Sequence, residues 1–185
     1  MILPIVAYGS NVLRSSCKEI DSSYPNLDQL IDNMFETMYA ASGVGLAAPQ
    51  INKSIRLFIV DTTPFKDDDS PDHLVCKKIF INPKITSITG ESWSFSEGCL
   101  SIPEVREDVK RLSEITIEYF DKEFNKYIET YDGINARVIL HEYDHIEGIL
   151  FVDKISPLRK RMIKGKLKDI SNGTLNANYL IRSFK

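Results

Sequence analysis

The stretch Ile134 to Gly148, INARVILHEYDHIEG, constrains this chain more than any other part of it. It holds His141-Glu142-Tyr143-Asp144-His145, an H-E-x-x-H pattern. Residues four apart on an α-helix share a face, one turn apart. His141 and His145 therefore aim their rings at one point, at a spacing that lets two imidazoles share a metal ion. Glu142, beside the first of them, is close enough to handle a proton of a water that such an ion acidifies. The flanks predict where the helix ends: Asp132 suits the start as a cap, and Gly148 suits the finish. Ile134, Val138, Ile139 and Leu140 give it an apolar, core-bound body. The chain has three histidines, and two of them fall in this motif.

A helix of this kind needs a core around it, and 185 residues with 43% hydrophobic side chains can supply one. A net charge of −3 gives no general attraction to nucleic acid or membrane. No apolar run approaches membrane-spanning length. The start, Met1-Ile2-Leu3-Pro4, lacks the basic and then apolar pattern of a signal peptide. Three cysteines do not make a disulfide framework, so the expected compartment is the reducing cytoplasm.

Leu27, Leu30, Ile31, Met34, Phe35 and Met38 recur at helical spacing and predict a helix from about Asn26 to Ala41. Arg56 to Asp61 reads as a short buried strand. Pro64 to Asp72, with its aspartate run at 67–69, reads as a solvated loop, and His73 as a surface histidine beside it. Lys78 to Asn82 and Lys84 to Thr89 read as two strands divided by Pro83. Ser113 to Asp121 and Glu123 to Asp132 alternate as a β-hairpin. Ser156-Pro157 opens a basic helix running to about Ile170. Ser171 to Lys185 reads as a closing strand or a tail. No repeat or linker interrupts the chain. The expected architecture is one α+β domain over residues 1–185. Mixed or antiparallel β-sheets pack around the central metal-binding helix, with an N-terminal and a C-terminal helix.

Two histidines do not complete a site. A catalytic ion typically takes three protein ligands and keeps a place for water. No histidine follows His145, although Glu147 and Asp153 do. Upstream lies Glu97-Gly98-Cys99-Leu100-Ser101. Cys99 there is either a plain structural side chain or a thiolate that a nearby divalent metal would stabilise. Gly43-Val44-Gly45-Leu46-Ala47-Ala48-Pro49-Gln50 allows close backbone approach, which by itself means tight packing as readily as function. The amide of Gln50 can donate to an oxyanion.

Taken together, GVGLAAPQ, EGCLS and HEYDH resemble, in order and interval, the three motifs of the peptide deformylases. The opening MILPIVAYGSNVLR and the segment IEGILFVDKISPL are similar to that family too. The likeness covers nearly the whole chain and weakens in the acidic loop and the C-terminal tail. It implies removal of the formyl group from the N-terminal formylmethionine of new proteins. It implies that Cys99, His141 and His145 bind one divalent metal, Fe²⁺ by preference, with Zn²⁺, Ni²⁺ or Co²⁺ compatible. Ferrous iron beside a thiolate should be vulnerable to oxygen. Glu142 would be general base and then acid, and Gln50 with the backbone N–H of Leu100 would hold the oxyanion.

By the same resemblance, Gly45 and Gly98 would align an extended peptide. Val44, Phe95, Ile134 and Val138 would surround the methionine side chain. Arg137, one turn before His141, is expected on the pocket rim or paired with a carboxylate. Glu97 with Arg106 or Arg111 is a candidate brace for the cysteine segment. The basic C-terminal helix reads as a solvated face, or, by the resemblance, as a transient contact with the ribosome. A monomer with no membrane contact is expected. The rival readings are a metalloprotease of H-E-x-x-H type, which shares the water chemistry, and a non-catalytic peptide-binding relative.

Overall fold

A computed structural model describes residues 1–66, 75–174 and 177–183. The aspartate run at 67–69 and His73 lie outside the described residues. The chain opens with a short strand β1 (Ile5–Val6) and a 3-10 turn at Asn11–Arg14. Helix α1 (Leu27–Ala40) follows, with Ile31, Met34 and Met38 turned inward. Its N-cap, Asn26, sits in the left-handed region at φ 55°, which asparagine tolerates better than most residues.

Five strands then build an antiparallel sheet in sequence order: β2 (Gly45–Ala47), β3 (Leu57–Asp61), β4 (Lys77–Cys99), β5 (Ile102–Phe120) and β6 (Lys126–Asp132). All five residues of β3 are buried: Leu57 to Val60 as a continuous apolar run requires, and Asp61 while accepting from the Tyr39 hydroxyl. In β5 the expected alternation holds: Ile115, Ile117 and Tyr119 are buried, and their neighbours are partly exposed.

The two strands expected on either side of Pro83 are one strand. The ladder shifts between Ile81 and Lys84, so Pro83 sits in an irregularity where no ladder bond is needed from it. Asn82 takes φ 49° there, and its side chain exchanges two hydrogen bonds with the backbone of Ile20, at 3.0 and 2.7 Å. β4 continues through the aromatic Trp93-Ser94-Phe95 to Cys99, and a two-residue turn at Leu100-Ser101 starts β5 far upstream of Ser113.

Helix α2 (Gly133–Ile146) leaves directly from the end of β6. Asp132 holds the expected N-cap position, but its side chain makes no capping bond. Gly148, at φ 74°, lies just past the end, where a Cβ would stand 2.7 Å from the backbone oxygen of Arg14. Nine of the helix's residues are buried, including Arg137, Glu142, Asp144 and His145, so polar groups as well as apolar ones enter the interior. Phe58, Phe80, Ile115 and Ile117 pack with Val138 and Ile139 in one core. A second core joins α1 to β3, and a third lies under Ile102, Val105 and Val109.

The expected single basic helix is two, α3 (Pro157–Met162) and α4 (Lys164–Asn172), divided at Ile163. Leu158 and Met162 are exposed while Leu167 and Ile170 are buried, so the two segments do not share one apolar stripe. Ser156 caps α3 as expected, accepting from the N–H of Arg159. The tail closes with β7 (Ile181–Arg182), which pairs in parallel with β1.

Candidate metal centre

Cys99 reaches the centre from the last residue of β4, and His141 and His145 come from successive turns of α2. Their donor atoms all lie within 4.8 Å of one another. Cys99 Sγ stands 3.2 Å from His145 Nε2, and the two imidazole centroids are 5.1 Å apart. Ligand atoms on one tetrahedral ion, with bonds of ~2.0–2.3 Å, sit about 3.5 Å from each other. A sulfur and two imidazoles therefore close on one cation with small adjustments, and three ligands leave a position open. Two polar atoms at this centre, Glu142 Oε2 and His145 Nδ1, are buried without a hydrogen-bond partner.

Glu97 organises the surroundings. One of its oxygens accepts from Arg111 Nε at 2.7 Å and Arg137 Nη1 at 2.9 Å. The other accepts from Arg111 Nη2 at 2.9 Å and lies 3.0 Å from His141 Nδ1. Burial alone would raise this carboxyl, but the bonds from Arg111 and His141 outweigh it and hold it well below the usual carboxylate range. An ionised carboxylate only accepts, so Nδ1 carries the proton and His141 turns Nε2 toward Cys99. Arg111 also reaches Asp144 at 2.6 Å, and Asp144 is 3.2 Å from Lys154. Of the two partners expected for Glu97, Arg111 is the one; Arg106 instead donates to the carbonyl of Ser96.

The histidines differ in charge preference. Burial disfavours a charged His141, but its bonds to Cys99 and Glu97 win and push it up to about 10. His145 is held well below its ordinary value by burial and by the charge of His141. A metal binds neutral imidazole, so a cation here has to displace the proton at His141 Nε2, on the Cys99 side, while Nδ1–H stays on Glu97.

Glu142 is buried, and that burial pushes its carboxyl up to about 7. Gly45 runs so close that a Cβ on it would lie 2.4 Å from Glu142 Oε1, so any larger residue there would push this carboxylate aside. Gln50 stands in a 3-10 turn at Ala48–Ile51. Its Oε1 accepts from Ala47 N–H at 2.8 Å, which turns Nε2 toward Ser101 Oγ at 3.3 Å and Cys99 Sγ at 3.5 Å.

These groups open onto a cleft of about 650 Å³. Its lining includes Val44, Gly45, Phe95, Gly98, Leu100 and Val138. Ile134 is half-buried on the first turn of α2 and does not line the cleft. Arg137 both walls the cleft and pairs with a carboxylate. Its guanidinium lies 4.3 Å from the Trp93 ring centroid and donates to the carbonyls of Trp93 and Val109. Sequence reasoning missed Ser101 and Tyr179. The first carries only a serine's weak signal, and the second is one aromatic in a tail with no pattern. No helix among the described residues is long and apolar enough to cross a membrane.

Comparison with known proteins matches this geometry. A sequence profile of the polypeptide deformylase family covers residues 2–161. The peptide deformylase of Christiangramia forsetii is 57% identical, over 98% of this chain and 96% of its own. That of Flavobacterium psychrophilum is also 57% identical, over 98% and 97%. Among solved structures, a peptide deformylase from Legionella pneumophila superposes with TM-score 0.80 at 36% identity, over 93% of this chain and 96% of that one. One from Plasmodium falciparum gives 0.81 at 32%, over 91% and 95%. With a cysteine and two histidines converging at the heart of a shared fold, and relatives this similar along almost its full length, the chain belongs to the peptide deformylases, the hydrolases that remove the N-formyl group from nascent peptides.

Proposed function

We propose that the chain works as a single catalytic domain in which Cys99, His141 and His145 hold one divalent cation. Fe²⁺ is the preferred ion, with Zn²⁺, Ni²⁺ and Co²⁺ as alternatives that a mixed sulfur and nitrogen site accepts. The observation that carries this reading is the convergence of three donor atoms within 4.8 Å beside a buried carboxylate. When bound, the cation supplies Lewis acidity that brings the pKa of water toward ~7 and polarises a carbonyl.

The chain's own residues do the rest. Glu142 takes a proton on its carboxylate and returns it to the departing nitrogen, and a carboxyl poised near neutrality serves both transfers. Gln50 Nε2, fixed by the bond to Ala47, donates to the developing oxyanion together with the Leu100 backbone N–H. Donors of this kind are worth about 2.7–4 kcal/mol each. β2 is an edge strand, so an extended peptide can add beside Gly45, with Gly98 leaving room for its backbone. Val44, Phe95 and Val138 surround the methionine side chain of an N-formylmethionyl nascent peptide. Ile134, away from the cleft, is left out of that pocket.

Formate release from a formyl-Met tripeptide, by anaerobically purified protein with its metal quantified, tests the reading. Metal-loaded protein should release formate and leave internal peptide bonds intact. Metal-loaded protein that releases none is not a working deformylase. The protein is further proposed to act as a cytoplasmic monomer. A transient ribosome contact would use the basic residues of α3 and α4, although Arg159 pairs with Glu107 and Lys160 with Asp153. Salt-sensitive co-sedimentation with ribosomes is the expected result, and absence of binding at low salt rejects the contact.

A further inference from the structure

The family profile ends at residue 161, yet the wall of the cleft continues beyond it. Ala177, Asn178 and Tyr179 line the same cleft as Gly45 and Glu142. This C-terminal arm is tied down by β7, with Ile5 N–H donating to Leu180 and Ala7 N–H to Arg182, at 2.8 and 2.9 Å. From it, the Tyr179 hydroxyl donates to the carbonyl of Leu100 at 2.7 Å.

Leu100 and Ser101 are the central residues of the hairpin turn between Cys99 and Ile102. Two-residue hairpin turns favour the primed types, which need positive φ at the first central residue or at both. Neither Leu100 nor Ser101 has positive φ; it falls instead on Glu104, at 59°. A turn of the unprimed kind tends to splay its strands, a tendency that bonds from outside the turn oppose. The N–H of Tyr8 holds the Ser101 carbonyl at 2.8 Å, and Gln50 holds the Ser101 hydroxyl. Among the described residues, only Tyr179 grips the carbonyl of Leu100, the residue next to Cys99.

We propose that Tyr179 is a positioning residue: its hydroxyl, bonded to Leu100, keeps the sulfur of Cys99 and the N–H of Leu100 aimed into the centre. The inference rests on the roles proposed above for those two groups. It makes a segment beyond the end of the family profile part of the active site.

Tyr179→Phe removes one oxygen and keeps the ring, and it is compared with wild type in the full chain. The kcat for a formyl-Met tripeptide should fall about tenfold, the scale of one lost hydrogen bond. The KM should stay within about twofold, and the thermal midpoint of metal-free protein within about 2 °C, because one exchanged bond is a small part of total stability. Cobalt-loaded variant should also lose Co²⁺ to a chelator several-fold faster than wild type. Unchanged kcat together with unchanged Co²⁺ release overturns the proposal. A lowered thermal midpoint with normal kcat in the folded variant also overturns it, since that is a purely structural role. Wild type that releases no formate refutes the deformylase reading instead, and the two Co²⁺ release rates then still decide whether the arm anchors the turn.

Discussion

Glu97 accepts from Arg111, Arg137 and His141 at once, so replacing it with alanine leaves two buried guanidinium groups without their shared anion. Breaking a buried ion pair from one side costs about 3–5 kcal/mol, and loosening a ligand's supporting bond costs roughly 10–100-fold in metal affinity. Glu97→Ala should therefore lower both the urea midpoint and metal retention; an unchanged midpoint would show that the arginines find other partners. Glu142→Ala should keep the metal and lose activity by orders of magnitude, as read from metal content and formate release on one sample. Near-normal turnover would remove Glu142 from the chemistry. Gly45→Ala drives a Cβ against Glu142 and should cut kcat while the circular-dichroism spectrum stays that of wild type. The histidine pair was legible in the sequence because a helix has a fixed pitch, so four residues mean one turn. The network behind it was not, beyond the suspicion of Glu97 with Arg111. Its members stand 14 and 33 residues apart, and which of them meet depends on strand register.

At the scale of elements, β4 shows how proline can be misread. Pro83 predicts a break, and the chain answers with an irregular step fixed by Asn82 and its two bonds to Ile20. Asn82→Ala forces a methyl side chain into φ 49° and deletes both bonds, a loss of about 1–3 kcal/mol. At about 2–4 °C per kcal/mol for a chain of this size, the thermal midpoint should drop by several degrees. Asp132 makes the opposite case. It stands at the N-cap of α2 without capping it, so Asp132→Ala should change the midpoint by less than about 2 °C. A larger drop would mean that its side chain helps to start the helix after all. Alternation revealed the β5–β6 hairpin because one face is buried. The division of α3 from α4 stayed hidden because the charged residues continue evenly across Ile163.

Across the molecule, Asp153 joins the first segment to the last third of the chain by pairing with Arg14 and Lys160. Burial works against its charge, but the bonds from Arg14, the N–H of Leu150 and Lys160 hold it down at about 2. A depressed carboxyl stabilises the fold fully above its unfolded value, near 3.8, and loses that contribution as the pH falls through about 2. In metal-free protein, Asp153→Asn should lower the thermal midpoint at neutral pH and flatten its decline between pH ~4 and ~2. A decline as steep as that of wild type would assign acid sensitivity to other groups.

The pairing of β1 with β7 places residue 5 beside residue 181, almost the longest loop this sequence can close. Contacts of that span form late, because the entropy of bringing the ends together must be met first. While the chain is being synthesised, its opening strand has no ladder partner until residues 181 and 182 have been added. An enzyme that processes newborn proteins thus closes its own fold late, after every copy has passed through the state its own substrates occupy.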